Sequence, residues 1–590
     1  MVRLSDYVMD FLVSKGVSKV FMVTGGGAMH LNDSIGRCEK LEYICFMHEQ
    51  ALAIAAEAYG QHTNFPGVGL VTSGPGSTNT ITAVAAAYLD STPCFFISGQ
   101  AKRSDLKGET GVRQMGSQEV DIVSMINCIT KYAVTIMNPK DIRFHLEKAW
   151  NEATTGRMGP VWLDIPLDVQ GSKIDETNLH GYKTPKLSES ELPLNQITVA
   201  FERAKRPVIL SGNGVKLSGA SDIVREFAEK YQIPMLLSWK MADFLDNDHP
   251  LNFGFPGVLG SRYANFIVQN CDFLLILGSR LDTSMTAFNS SNFGRNAFKI
   301  MIDIDKAEIN KIENIDLRIT EDISVAMGAI KELSILLPEH SNWLEYCTKI
   351  KKRYPIVFED ILADGAVDLY LFTDELFKQL CSTDIIVPES SAAAGEVTYQ
   401  AMRVKFGQSI KNAAGLGPMG FGLPYAIGSC LALEGRRTIL INGDGGFQLN
   451  IQELETVRRL HLPIKIFIWD NDGYDSIRNT QRNLFDGCIV GADSSSGLTL
   501  PDAIAVAKAY KFRTAQISRN SDLKTGIEEV LAGKDPVLCN IKVKHNHLTI
   551  PRVRAMKLPD GGMVSKPLED MWPYLPSEEI TENMKISADD

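Results

Sequence analysis

At 590 residues the chain exceeds what one hydrophobic core can hold and divides into units of ordinary domain size, and 44% hydrophobic with 22% charged residues describes a globular, water-soluble chain. The net charge of −11, with Lys and Arg scattered among acids, excludes the basic stripe of a nucleic-acid binder, and ten singly placed cysteines without a CxxC pair exclude a disulfide framework or a zinc site. No run reaches the roughly eighteen apolar residues that span a bilayer, and the N-terminal MVRLSDYVMDFLVSKGVSKVF reads as an amphipathic helix leading to a strand; no membrane partner and a cytoplasmic location are expected.

From the N-terminus, short apolar runs alternate with glycine-rich turns and helical patterns. Lys19–Val23 runs into TGGGA, Val68–Val71 into TSGPGSTN, and Pro93–Ile97 into SGQ, while GPVWLDIPLDV closes a first unit over 1–182. Such alternation predicts parallel strands with crossover helices. A polar stretch beginning QGSKIDETN reads as a linker. A second unit, 190–345, has apolar runs at 206–210, 272–277 and 298–304, again ending in polar or glycine turns, where α/β sheets bind ligands. A charged, mostly helical connection leads to a third unit, 365–545, followed by a proline-rich arm, 546–590, expected to pack on the surface over a site. The fold class is therefore α/β, with three consecutive doubly wound parallel-sheet domains.

In the third unit the apolar run Thr438–Ile441 leads into GDGGFQLN, a helical pattern at 451, 454, 457 and 460, a second apolar run at 464–469, and DNDGY. Asp444 and Asn471 then sit at the ends of neighbouring strands. One carboxylate, one amide oxygen and the Gly473 carbonyl suit Mg²⁺, completed by water and phosphate oxygens. Gly445 and Gly446 let N–H groups approach those phosphates at a helix N-terminus. Either segment alone is an ordinary turn; their spacing carries the signal.

GDG at 443–445 followed by Asp470-Asn471 resembles the signature of the thiamine-diphosphate enzymes, with the first Asn of the family's pair replaced and the ligand position, Asn471, intact. HEQALAIAAEAYG (48–60) and GLGPMGFGLPYAIG (415–428) look like the acetohydroxyacid synthase large subunits, and the resemblance covers nearly the whole chain, including an arm similar to that of branched-sugar synthases. It implies Glu49 as the acid that hydrogen-bonds the cofactor's aminopyrimidine, Gly417 as the carbonyl accepting from it, and Met419 as the wedge that folds the two rings together. Gly443 and Tyr474 join the diphosphate motif, and Gln100 and Gln118 match polar active-site positions. GVLGSRYAN, LGSRLD and IDIDKAEINK look like flavin-binding segments, so FAD is implied, with Arg280 near its phosphates and Asp303 at a strand end. The site is expected across a subunit interface, in a homodimer or homotetramer. The implied reaction is decarboxylation of a 2-oxo acid, pyruvate, and transfer of the two-carbon unit to a carbonyl acceptor. A simple decarboxylase is the alternative, but no adjacent His pair is present to deliver its proton. Ser284 and Thr480 stand where the synthases place the Arg and Trp that recognise a second 2-oxo acid, and Ser117 where they have Phe. Losing a bidentate cation and two aromatic rings favours a bulkier acceptor, such as a nucleotide-linked 4-keto-deoxysugar, over a second pyruvate.

Overall fold

The computed structural model describes residues 1–185, 191–356, 365–557 and 562–584. Parts of the expected linker (186–190), of the inter-domain connection (357–364) and of the arm (558–561 and 585–590) lie outside the described residues.

The first sheet comprises β1 (Lys19–Met22), β2 (Glu42–Cys45), β3 (Gly67–Val71), β4 (Cys94–Gln100), β5 (Tyr132–Thr135) and β6 (Pro160–Pro166), ordered β2-β1-β3-β4-β6-β5 and parallel throughout. The central sheet comprises β7 (Pro207–Ser211), β8 (Met235–Leu237), β9 (Phe273–Leu277), β10 (Phe298–Asp303) and β11 (Leu317–Thr320), ordered β8-β7-β9-β10-β11. The third comprises β12 (Ile385–Pro388), β13 (Ser409–Ile410), β14 (Thr438–Gly443), β15 (Ile464–Asp470), β16 (Arg513–Ile517) and β17 (Val537–Lys542), ordered β13-β12-β14-β15-β17-β16. The first and third sheets share one strand order, and in all three the central strands are apolar on both faces because helices cover both.

The first and third domains share one continuous core. Its centre is the crossing of α1 (Glu49–Thr63) with α2 (Gly422–Ala432), where a Cβ on Gly428 would lie 2.3 Å from the Ala55 carbonyl oxygen. Lys240 of the central domain ties all three together. Its ammonium pairs with Asp90 (2.6 Å) and donates to Gln61 Oε1 (2.8 Å) and to the Asn412 carbonyl (2.5 Å). The arm packs on the central domain: Arg262 donates to the Met571 and Pro573 carbonyls, Asn265 to that of Leu568, and Arg295 pairs with Glu569.

One local expectation changes. No continuous helix follows Gly443; a single helical turn, Asp444–Phe447, passes into a 3₁₀ stretch, Gln448–Glu453, before helix resumes at Leu454–Arg459. Asn450 breaks the helix because its side chain donates to the Gly420 carbonyl (2.7 Å) and to Gln50 (3.2 Å) of the first domain.

Candidate active site and cofactor cavity

Strands β14 and β15 are neighbours in register, Gly443 opposite Trp469, so Asp444 and the loop 471–473 share one sheet edge. The Asp444 carboxylate accepts N–H bonds from Gly445 (2.8 Å), Asn471 and Gly473 (both 3.1 Å). Burial nevertheless pushes it up to about 6 against those three donors. The Asn471 Oδ1 atom is buried without a hydrogen-bond partner. A buried carboxylate beside an orphaned amide oxygen is a donor pair short of a cation, and oxygen donors alone suit a hard divalent ion. Among the described residues no cluster of three or more His, Cys, Asp or Glu side chains offers another metal site. Asp470, the departure from the family pair, turns away toward β17, where Asn540 (2.9 Å) and Lys542 donate to it.

Glycine at 473 is required twice over: its φ is +124°, and a Cβ there would lie 2.2 Å from the Ala492 carbonyl oxygen. The Tyr474 ring rests on Gly445, where a Cβ would come within 2.3 Å of it.

Glu49 opens α1, whose first turn is capped by His48 Nδ1 accepting from Gln50 N–H (3.0 Å). Its Oε2 accepts from the Asn79 amide (2.9 Å). Sequence reasoning missed Glu453, a wholly buried acid that accepts from the Met47 N–H (3.1 Å) and the Thr456 hydroxyl (2.6 Å) and so fixes the chain just before Glu49. Burial pushes Glu453 up to about 7. Among the described residues no hydrogen bond joins Glu49 to Asp444 or Asn471 of the same chain.

Gly417 has φ +62°, and Met419 beyond it is 38% exposed, unusual for a large apolar side chain in a conformationally fixed turn. Gln118 is exposed at φ +58° with its carbonyl against Gly74. Gln100 differs: it is buried, donates to the Val120 carbonyl (2.8 Å) and to Asp164 (3.0 Å), and accepts from Ala101 N–H (3.0 Å). Its amide is spent on bracing the chain beyond Gln118.

A cavity of about 630 Å³ opens where the three domains meet. Gly212 and Gly278, at the ends of neighbouring β7 and β9, approach so closely that a Cβ on Gly212 would lie 2.2 Å from the Gly278 carbonyl, and this strand-reversal crevice forms one wall. Arg280, Asp303, Ser284 and Gly417 all line it. Arg280 donates to the Leu89 carbonyl (3.2 Å), and Asp303, raised by burial, accepts from Asp305 N–H (2.9 Å). Arg157, also missed in the sequence, closes the rim by bonding Asp305 (2.7 Å) and Glu308 (2.8 Å). The size, the glycine crevice, the arginines and a strand-end acid fit a dinucleotide.

Three family profiles match in order along the chain: the thiamine pyrophosphate enzyme N-terminal TPP binding domain over residues 2–125, the central domain over 194–330 and the C-terminal TPP binding domain over 393–541. Among curated relatives, the acetolactate synthase large subunit of Lactococcus lactis subsp. lactis (strain IL1403) is 30% identical over 560 residues, 93% of this chain and 94% of its own. That of Cyanidium caldarium is 31% identical, covering 92% and 94%, and the probable acetolactate synthase large subunit of Methanocaldococcus jannaschii is 31% identical, covering 95% and 94%.

Proposed function

Because this chain belongs to the thiamine pyrophosphate enzyme family, among the relatives of the acetolactate synthase large subunits, and is a thiamine-diphosphate-dependent carboligase, we propose that its acceptor is a bulky nucleotide-linked ketone of the 4-keto-deoxysugar class and its donor pyruvate. Thiamine diphosphate, when bound, supplies the electron sink for loss of CO₂ from the 2-oxo acid and for transfer of the two-carbon remainder. Asp444, Asn471 and the Gly473 carbonyl would hold Mg²⁺ with the cofactor's diphosphate, and Gly445 and Gly446 leave room for it. Glu49 holds a proton at the aminopyrimidine, the Gly417 carbonyl orients that ring, and Met419 excludes water from its face. Gln118 meets the substrate; Gln100 acts through the chain beyond it. FAD would occupy the three-domain cavity, with Arg280 at its phosphates and Asp303 at a ribose. The Glu49 of one subunit would serve the Asp444 site of another, making the homodimer the smallest active form.

The observation that carries the acceptor reading is the cavity wall itself. Ser284, at the position of the synthases' acceptor arginine, lines the same space as Gly417, so that position offers no bidentate cation to a 2-oxo carboxylate, while Arg280 nearby is turned to the Leu89 carbonyl. Acetolactate formation from two pyruvates is the second reading, favoured by the relatives' names. Incubating the protein with thiamine diphosphate, Mg²⁺ and pyruvate, with and without nucleotide-linked 4-keto-6-deoxysugars, separates them by product mass. A two-carbon adduct of the sugar supports the first; acetolactate alone sinks it. A flavin absorbance spectrum of the purified protein tests the cavity assignment.

A further inference from the structure

The positions that lack the synthases' acceptor-binding groups, Ser284 and Thr480, lie on different domains, and the C-terminal arm runs past both. Thr480 lies in α3 (Asp475–Leu484) and turns its hydroxyl back to the Ser476 carbonyl (3.0 Å). The adjacent Asn479 amide donates to the His547 carbonyl (3.3 Å), and Arg482 donates to Asn546. At Ser284 three segments lie edge to edge: the Val258 N–H donates to the Ser284 carbonyl (2.8 Å), and the Val553 N–H to the Val258 carbonyl (2.9 Å).

Val553 is buried in the central-domain core. Its neighbours Arg552 and Arg554 in this extended segment therefore lie on the opposite face, away from that core. Trp572 exchanges both main-chain bonds with Arg552 (2.8 and 2.7 Å), and the Arg554 guanidinium lies 3.6 Å over the Trp572 ring. Other arginines at the arm's contact are engaged: Arg295 with Glu569, Arg353 with Glu579, Arg262 with two carbonyls. Among the described residues no ion pair joins Arg552 or Arg554 to a carboxylate; Arg554 is stacked on the indole, and the segment that carries both lies one hydrogen-bonded segment, that of Val258, beyond Ser284.

We propose that this segment of the arm is a diphosphate-binding site for the acceptor. Arg552 and Arg554 supply the cationic recognition missing at Ser284, and the Arg554–Trp572 stack presents a flat surface beside them. The inference rests on the nucleotide-linked acceptor read above. A guanidinium fork matches two phosphate oxygens at once, a diphosphate takes two such forks, and a nucleobase stacks on an indole or guanidinium plane.

Titration calorimetry on the full-length protein saturated with thiamine diphosphate, Mg²⁺ and FAD reads the site without turnover, with uridine diphosphate and thymidine diphosphate as probes. Saturable binding is expected, weakened about tenfold or more in Arg552→Gln and in Arg554→Gln, since a hydrogen bond to a charged group contributes on that scale. Arg552→Lys keeps the charge without the fork, so intermediate binding is expected from a variant that disturbs the arm least. The KM of the nucleotide-linked acceptor should rise in parallel. The site is overturned if neither probe binds the wild type, if both Gln variants bind within about twofold of it, or if the KM that rises is that of pyruvate. Arg552-dependent binding without transfer to any nucleotide-linked ketone leaves the site standing and removes the acceptor reading instead.

Discussion

Two acids near the start of α1 illustrate how differently the same side chain can serve one site. Among the described residues Glu49 makes one side-chain hydrogen bond, to the neutral Asn79 amide, through Oε2. Replacing it with Gln retains that contact and the space it fills, so Glu49→Gln should bind thiamine diphosphate nearly as the wild type does while losing about 10²- to 10⁴-fold in turnover, the usual reach of a positioned acid–base group. Fluorescence titration of the cofactor and a steady-state assay read the two quantities separately, and an active variant would remove Glu49 from the role. Glu453 holds the chain before Glu49 and titrates. Its folded pKa, about 7 through burial, lies above the ordinary carboxylate value. Its contribution to stability is therefore complete below about pH 4.5 and is lost as pH rises through 7. Glu453→Gln cannot ionise, so the urea midpoint of the wild type should fall relative to the variant between pH 5 and 7.5, by an amount on the order of 1–3 kcal/mol in stability. Parallel curves would show that Glu453 does not titrate in that window.

At the scale of elements, what was legible in the sequence follows from which forces are local. The parallel strands were readable because burial on both faces makes each an apolar run ending in a polar or glycine turn, as Thr438–Gly443 and Phe273–Leu277 show. The pairing of Asp444 with Asn471 was readable because one crossover unit delivers both to adjacent strand ends. The break at Asn450 was not, since its cause is a bond to Gly420 and another to Gln50, remote in sequence. Lys240, Arg157 and Glu453 were equally silent: each is a lone charge in an unremarkable segment and acquires meaning only from a partner on another domain. The α1–α2 crossing is likewise a long-range matter, and it sets how the first and third domains meet within a chain. Gly428 is the close-approach point, with rigid backbone rather than a movable side chain opposite it. Gly428→Leu should therefore destabilise by about 1–3 kcal/mol or more through overpacking, with both helices pushed apart. Thermal unfolding reads this, and an unshifted midpoint would mean the crossing is looser than 2.3 Å to the Ala55 carbonyl implies.

For the whole molecule the decisive fact is what a single chain leaves uncovered. Met47, beside Glu49, is 59% exposed, Leu449, beside the Asn450 break, is 50% exposed, and the ring-wedge candidate Met419 is 38% exposed. Met29 (50%) and Met125 (49%) of the first domain are bare as well. Large apolar side chains exposed at both halves of one candidate site are the kind of surface that a second subunit would cover. A second copy related by a twofold axis would cover the same surface on both subunits, and it would bring the Glu49 of each to the Asp444 edge of the other. Assembly and activity should then be lost together. On dilution, specific activity should fall along the same curve as the dimer fraction measured by sedimentation, and excess thiamine diphosphate with Mg²⁺ should shift both curves to lower protein concentration, because a ligand bound between subunits stabilises their association by mass action. Leu449→Arg, which places a charge on that surface without touching Asp444 or Glu49, should move both curves to higher concentration. An active monomer at any dilution would break the link and return both halves of the site to a single chain.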